Sequence, residues 1–179
     1  TTFTPEERYT DGVTGAAGST LLKLADSVNV FDTGALANGV TVQNVDYRVL
    51  SFDAGVKYKG IFLQTEIYNR WLDNFQADGP LPVTSVHDWG YYVQGAFYPI
   101  KKKLELYGAT SQIYGDTAAG FRKSSEYIVG GNFYPFDTRN HRLNMQLQKV
   151  YDSPVGSTFG YYTAGQKGTT FSTAFSIFF

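Results

Sequence analysis

Ser85, His87 and Asp88 are the residue types of a nucleophilic triad, and they stand almost side by side in this chain. A hydroxyl becomes a nucleophile only when an imidazole takes its proton and a carboxylate orients that imidazole. That is a matter of geometry, which adjacency in sequence does not supply. His87 and His141 are the two histidines, hence the two side chains with an ordinary pKa near neutrality. The patterning below puts His87 in a loop and His141 in a turn at opposite ends of the strands, where they cannot cooperate. Cysteine is absent, which removes thiolate nucleophiles, thiolate metal sites and disulfides. Asp, Asn and Gly are scattered without calcium-loop spacing, and no His pair stands at ligand spacing. The residues therefore predict no enzyme, no metal site and no cofactor.

A second set of charges is better organised. Asp53, Lys57, Glu66, Arg70, Lys103, Glu105, Glu126 and Arg142 sit on the polar side of alternating stretches. Gln64, Gln94, Asn132, Asn144, Gln146 and Gln148 accompany them. Charges that ring a water-filled pore set its ion preference through the local potential. Four acidic and four basic residues predict a weak preference. The plainer reading makes these side chains a water-facing wall whose members pair across strands; the other gives Lys57, Arg70 or Arg142 a specific solute-contacting role.

The elements that position them are strands, read from period-two alternation. Leu50, Phe52, Ala54, Val56 and Tyr58 alternate with Ser51, Asp53, Gly55 and Lys57, and Lys59-Gly60 reverses the chain. Ile61, Leu63, Thr65, Ile67 and Trp71 form the return strand, opposed by Gln64, Glu66, Tyr68 and Arg70. Further strands run from Trp89 to Phe97, from Leu104 to Tyr107, from Glu126 to Phe133 and from Arg142 to Gln148. The last, Phe171 to Phe179, places Phe171, Phe175, Ile177 and Phe179 on one face. These make seven clear strands. Residues 1–45 read as a loop-rich segment. In it Thr4-Pro5-Glu6-Glu7 suits the start of a short helix, and Thr20–Phe31 suits an eighth strand apart from Asp26 on its apolar side.

Each strand carries a largely apolar face, interrupted by Thr65 and Thr173 in the strands they belong to, as expected when the two sides meet different solvents. No run of about 18 apolar residues exists, so a membrane helix is not available. A mean hydropathy of -0.24 is compatible with membrane strands, which average polar and apolar positions. Charged residues are 17% and aromatics also 17%, and the net charge of -1 gives no electrostatic case for nucleic acid. Connections alternate in length: Lys59-Gly60, Pro99–Lys102 and Phe136–His141 are short, whereas Gln76–Asp88, Gly115–Ser125 and Asp152–Thr169 are long. Outer-membrane barrels have short periplasmic turns and longer extracellular loops. Trp71, Trp89, Tyr127 and Tyr151 fall near one rim and Tyr58, Phe97, Phe133 and Phe179 near the other, as two interfacial belts would. Phe171, Phe175, Ile177 and Phe179 resemble the terminal signal read by the barrel-assembly machinery.

Asn132-Phe133-Tyr134-Pro135, Tyr107-Gly108, Ser153-Pro154 and Phe159-Gly160-Tyr161-Tyr162 resemble the C-terminal part of the phosphate-selective porin O and P family. Asp53 through Gly60, running into Gln64-Thr65-Glu66-Ile67-Tyr68, is similar to a hairpin of that family. The resemblance spans about Leu36 to Phe179. It implies a 16-stranded barrel, often trimeric, that passes small hydrophilic solutes or anions. Those porins are about twice this length, in keeping with their strand number. Nothing here matches an arginine ladder for phosphate, so that substrate is not carried over.

The sequence thus predicts an all-β transmembrane antiparallel β-barrel, with residues 46–179 as the C-terminal part of a 16-stranded porin. Residues 1–45 are loop-rich and extracellular on this topology. The expected function is passive, weakly selective diffusion of small hydrophilic solutes or ions across the bacterial outer membrane. Expected partners are outer-membrane lipids, the barrel-assembly machinery, permeating solutes and further copies in a trimer. The alternative is a closed eight-stranded barrel serving as an anchor or surface-binding protein.

Overall fold

A computed structural model describes residues 2–7 as backbone, and residues 22–136, 138, 140–154, 162 and 165–177 in full. The chain forms one antiparallel sheet in the order β1-β2-β3-β4-β5-β6-β7-β8. The strands are β1 (Thr2–Glu7), β2 (Val42–Tyr58), β3 (Ile61–Ala77), β4 (Ser85–Ile100), β5 (Leu104–Tyr114), β6 (Lys123–Phe133), β7 (His141–Tyr151) and β8 (Gly168–Ile177). β2 to β8 are the seven strands expected from alternation. Among the described residues no pairing joins β8 to β1, so the sheet is open and the eight-stranded closure is not formed. β1 covers only Asn44–Val49 of β2, and among the described residues the edge from Leu50 to Tyr58 has no neighbour on that side.

Two expectations for the N-terminal region are corrected. Thr4-Pro5-Glu6-Glu7 lies in strand β1, paired with Tyr47 to Asn44, and starts no helix. Proline is tolerated in edge strands, and β1 is at the edge of the sheet among the described residues. Of the proposed strand Thr20–Phe31, the described part is a sequence of turns with one isolated bridge, Lys23↔Asn29. Asp26 Oδ1 accepts the Val28 N–H at 3.0 Å and Ser27 has φ 73°, so the chain reverses where a strand would continue.

Strands β2 to β7 are all longer than alternation suggested. β4 starts at Ser85, which shortens the expected loop Gln76–Asp88 to residues 78–84 and places His87 in a strand. β5 continues to Tyr114. β2 and β3 are 17 residues each, whereas β5, β6 and β7 are 11 each. The hairpin ends are nearly aligned: Ile61 is opposite Phe97, Leu106 opposite Phe97, and Leu104 opposite Phe133. The extra length of β2, β3 and β4 therefore projects at the end that carries the longer connections. Lys59 (φ 46°) and Gly60 (φ 85°) supply the two left-handed residues of the tight β2–β3 turn.

One face of the sheet, here the outer face, carries Phe52, Ile67, Val129, Leu147 and Phe171. Phe52 is 68% exposed, Phe171 64% and Val129 60%. The buried apolar cluster lies elsewhere, at the projecting end of the opposite, inner face. There Leu22, Leu24, Val30 and Phe31 pack with Val42, Val45, Leu72, Val86 and Phe121.

Candidate functional site

Pairing partners share a face, so the registers place every inner-face side chain in a cross-strand row. Asp53 is opposite Glu66, Glu66 opposite Tyr92, Tyr92 opposite Ser111, and Ser111 opposite Glu126. Three of the four predicted acidic residues thus share one row, and no basic residue interrupts it. Glu126 accepts from Gln148 Nε2. It also borders a pocket of about 190 Å³, with Ser111, Ser124, Gln148, Ser153 and Tyr162 in its wall.

The fourth, Glu105, lies nearer the short-turn end. Its Oε2 accepts from Asn132 Nδ2 and from the Tyr134 hydroxyl, both at 3.0 Å. Asn144 Nδ2 reaches Asn132 Oδ1 at 2.9 Å and the Tyr107 hydroxyl at 2.8 Å, and Tyr107 donates to Gln146 Oε1 at 3.0 Å. This network ties β5, β6 and β7 together on the polar side. Burial, and then the hydrogen bond to Glu105, push the Tyr134 phenol well above its ordinary range.

The predicted basic residues are dispersed. Lys57 is exposed on the uncovered part of β2, and Lys103 is exposed in the turn 101–103 just before β5. Arg142 is the second residue of β7, with its Nε buried and without a hydrogen-bond acceptor among the described residues. Arg70 pairs with Asp88, whose side chain is 4% exposed, and its Nη1 donates to the Lys23 carbonyl at 2.5 Å. The other Asp88 oxygen accepts the Asp116 N–H at 3.0 Å. Asp88, missed as a site residue, is therefore the joint between β3, β4, residues 22–31 and the β5–β6 loop.

The triad residues do not assemble. His87 projects from the outer face and stacks on Trp71 at 5.0 Å, with its Nε2 3.2 Å from Asn69 Oδ1. Asp88, one residue on, points to the inner face and is committed to Arg70. His141 opens β7 and meets Phe136 edge-on at 5.0 Å.

Polarity reverses along β2, β3 and β4. In their lower parts the outer face is apolar (Phe52, Val56, Leu63, Ile67, Val93) and the inner face carries Asp53, Glu66, Gln64 and Gln94. In the projecting parts the outer face carries the Arg48–Asp73 ion pair, the Asn74–Asp46 hydrogen bond and His87, while the inner face holds buried Val45, Leu72 and Val86. Trp71 and Trp89 mark the level of the change. Trp89 stacks on Tyr114 at 4.2 Å, and Tyr127 meets Tyr151 edge-on at 6.3 Å, so the aromatic level continues across β4 to β7.

Of the predicted terminal signal, Phe171, Phe175 and Ile177 share the exposed face of β8, and Phe179 lies outside the described residues. No protein-family model, curated protein or solved structure matches the chain.

Proposed function

We propose that this sheet is part of the wall of a transmembrane β-barrel in the bacterial outer membrane, acting as a passive channel for small hydrophilic solutes or ions. The observation that carries the reading is the polarity reversal along β2, β3 and β4. A strand with one fixed pair of environments keeps its apolar side on one face throughout. A strand that leaves a bilayer for water must bury its apolar side chains on the other face from that point on. The aromatic residues at the reversal, Trp71 and Trp89, suit the membrane interface. The 11-residue lengths of β5, β6 and β7 fit a tilted spanning strand.

On this reading the inner face lines water. The row Asp53, Glu66 and Glu126 gives the wall a mild preference for cations, while Lys57 and Arg142 lie at other levels. Residues 22–41 pack over the inner face at the extracellular mouth and narrow it. The open edges of β2 and β8 are closed by further strands of a larger barrel, which assembles through the outer-membrane machinery and associates as a trimer.

Planar-bilayer recording tests the function. Protein whose insertion is verified by protease protection should give stepwise conductance, with a reversal potential displaced toward cations in a salt gradient. Inserted protein without conductance would sink the channel reading and leave a structural barrel.

A further inference from the structure

The outer face at the loop end of β5, β6 and β7 is neither plainly apolar nor plainly polar. Lys123 is opposite Tyr114 in the register, and its Nζ lies 4.9 Å over the Tyr114 ring. Lys149 is opposite Tyr127, and its Nζ lies 5.0 Å over the Tyr151 ring. Both lysines are exposed, and neither forms an ion pair among the described residues. Asp46 and Asp73, the outer-face carboxylates of the projecting strands, are engaged on β2 and β3 by Asn74 and Arg48. Among the described residues, the outer face of β5, β6 and β7 therefore presents two positive charges on aromatic supports and no carboxylate of its own, and the nearby loop residue Asp116 is engaged by the His87 and Ala118 N–H groups.

We propose that Lys123 and Lys149 hold the phosphates of anionic lipid headgroups in the leaflet bordering the loop end. This rests on the membrane reading above and deepens it by naming a lipid class and its contacts. Three features select that occupant. The lysines lie at the same end as the polarity reversal, where headgroups meet the strands. Each ring holds an ammonium by cation–π attraction, which offsets part of the entropy of fixing a long side chain. The charge is positive against a face otherwise apolar, so the complementary ligand is an amphiphile with an anionic head. A soluble anion would gain nothing from the apolar band below.

The test uses the full chain reconstituted in nanodiscs, with phosphatidylglycerol or phosphatidylcholine of identical acyl chains as the competing lipids. Lipids retained after detergent exchange are counted by native mass spectrometry. The wild type should retain phosphatidylglycerol preferentially, and Lys123→Gln and Lys149→Gln should each lower that preference about fivefold. Lys123→Arg with Lys149→Arg should preserve it, because charge and ring contact both survive. Equal retention of the two lipids by wild type, or no effect of the glutamine changes, would overturn the proposal while insertion itself leaves the membrane reading standing. Failure to insert with either lipid would overturn both. A preference abolished by millimolar inorganic phosphate would assign the lysines to free anions and also overturn it.

Discussion

Two tyrosines lie across glycines on neighbouring strands, and their contacts fix what those positions tolerate. A Cβ on Gly130 would stand 2.5 Å from the Tyr107 ring and 2.7 Å from the Met145 carbonyl. A Cβ on Gly90 would meet the Tyr68 ring at 2.4 Å. The glycine gap lets each ring lie flat on the sheet and bury itself against the backbone. Gly130→Ala should therefore destabilise by about 1–3 kcal/mol, read as a lower urea midpoint by tryptophan fluorescence in micelles. Adding Tyr107→Leu should recover only part, because the Met145 carbonyl remains in the way. Tyr134 gives a pH-dependent counterpart. Its phenol keeps its proton in the folded chain at pH values where the unfolded chain, with an ordinary tyrosine pKa of about 10, has lost it. The folded state then binds more protons, so this contribution is complete below about pH 10 and is lost as pH rises toward the folded pKa. Tyr134→Phe should flatten the alkaline fall in stability. At neutral pH it should cost about 1.5–3 kcal/mol, the scale of a hydrogen bond to a charged group.

At the scale of elements, the Arg70–Asp88 joint holds residues 22–31 and the β5–β6 loop against the projecting ends of β3 and β4. Removing one partner strands a buried charge, at about 3–5 kcal/mol, whereas removing both with apolar side chains can be close to neutral. Arg70→Met should thus release the inner segment, seen as new protease cuts within residues 22–41, and Arg70→Met with Asp88→Leu should restore much of the protection. This joint also marks the limit of what the sequence disclosed. The hairpins from Leu50 to Trp71 and from Trp89 onward were legible because their alternation is simple and Lys59-Gly60 is a strong turn. Residues 22–31 misled because Leu22, Leu24, Val28 and Val30 alternate like a strand, although Asx-type turns at Asp26 and Asn29 bury Leu22, Leu24 and Val30 with Phe31 in one cluster and leave Val28 exposed. The acidic row was hidden for another reason. Asp53 and Glu66 face each other across the legible hairpin, but Glu126 lies three strands on, and only the registers of β3 to β6 bring it to their level. β1 could not be found from pattern, since Thr2–Glu7 has no apolar face to announce it.

For the whole molecule, the outer face separates a sheet standing in water from one standing in lipid, and a single residue can decide between them. Val129 is 60% exposed, opposite Gly108 and Leu147, in the middle of the apolar band of β6. In water, a lysine at so exposed a strand position changes stability by no more than about 0.5 kcal/mol. At the midplane of a bilayer, the same ammonium loses its hydration and has no polar partner within reach, which costs about 2–4 kcal/mol. Val129→Lys should therefore fold as well as wild type in the first case and lose most of its folded population in the second. Lys149→Ala, at the level of the aromatic belt, removes charge rather than burying it and should shift stability far less. The measurement is reversible urea unfolding in phospholipid vesicles, followed by the fluorescence of Trp71 and Trp89. A near-neutral Val129→Lys would refute burial of this face in lipid. A loss of several kcal/mol at Val129, falling toward zero for the same change at the belt positions Tyr127 and Tyr151, would trace the bilayer across the sheet.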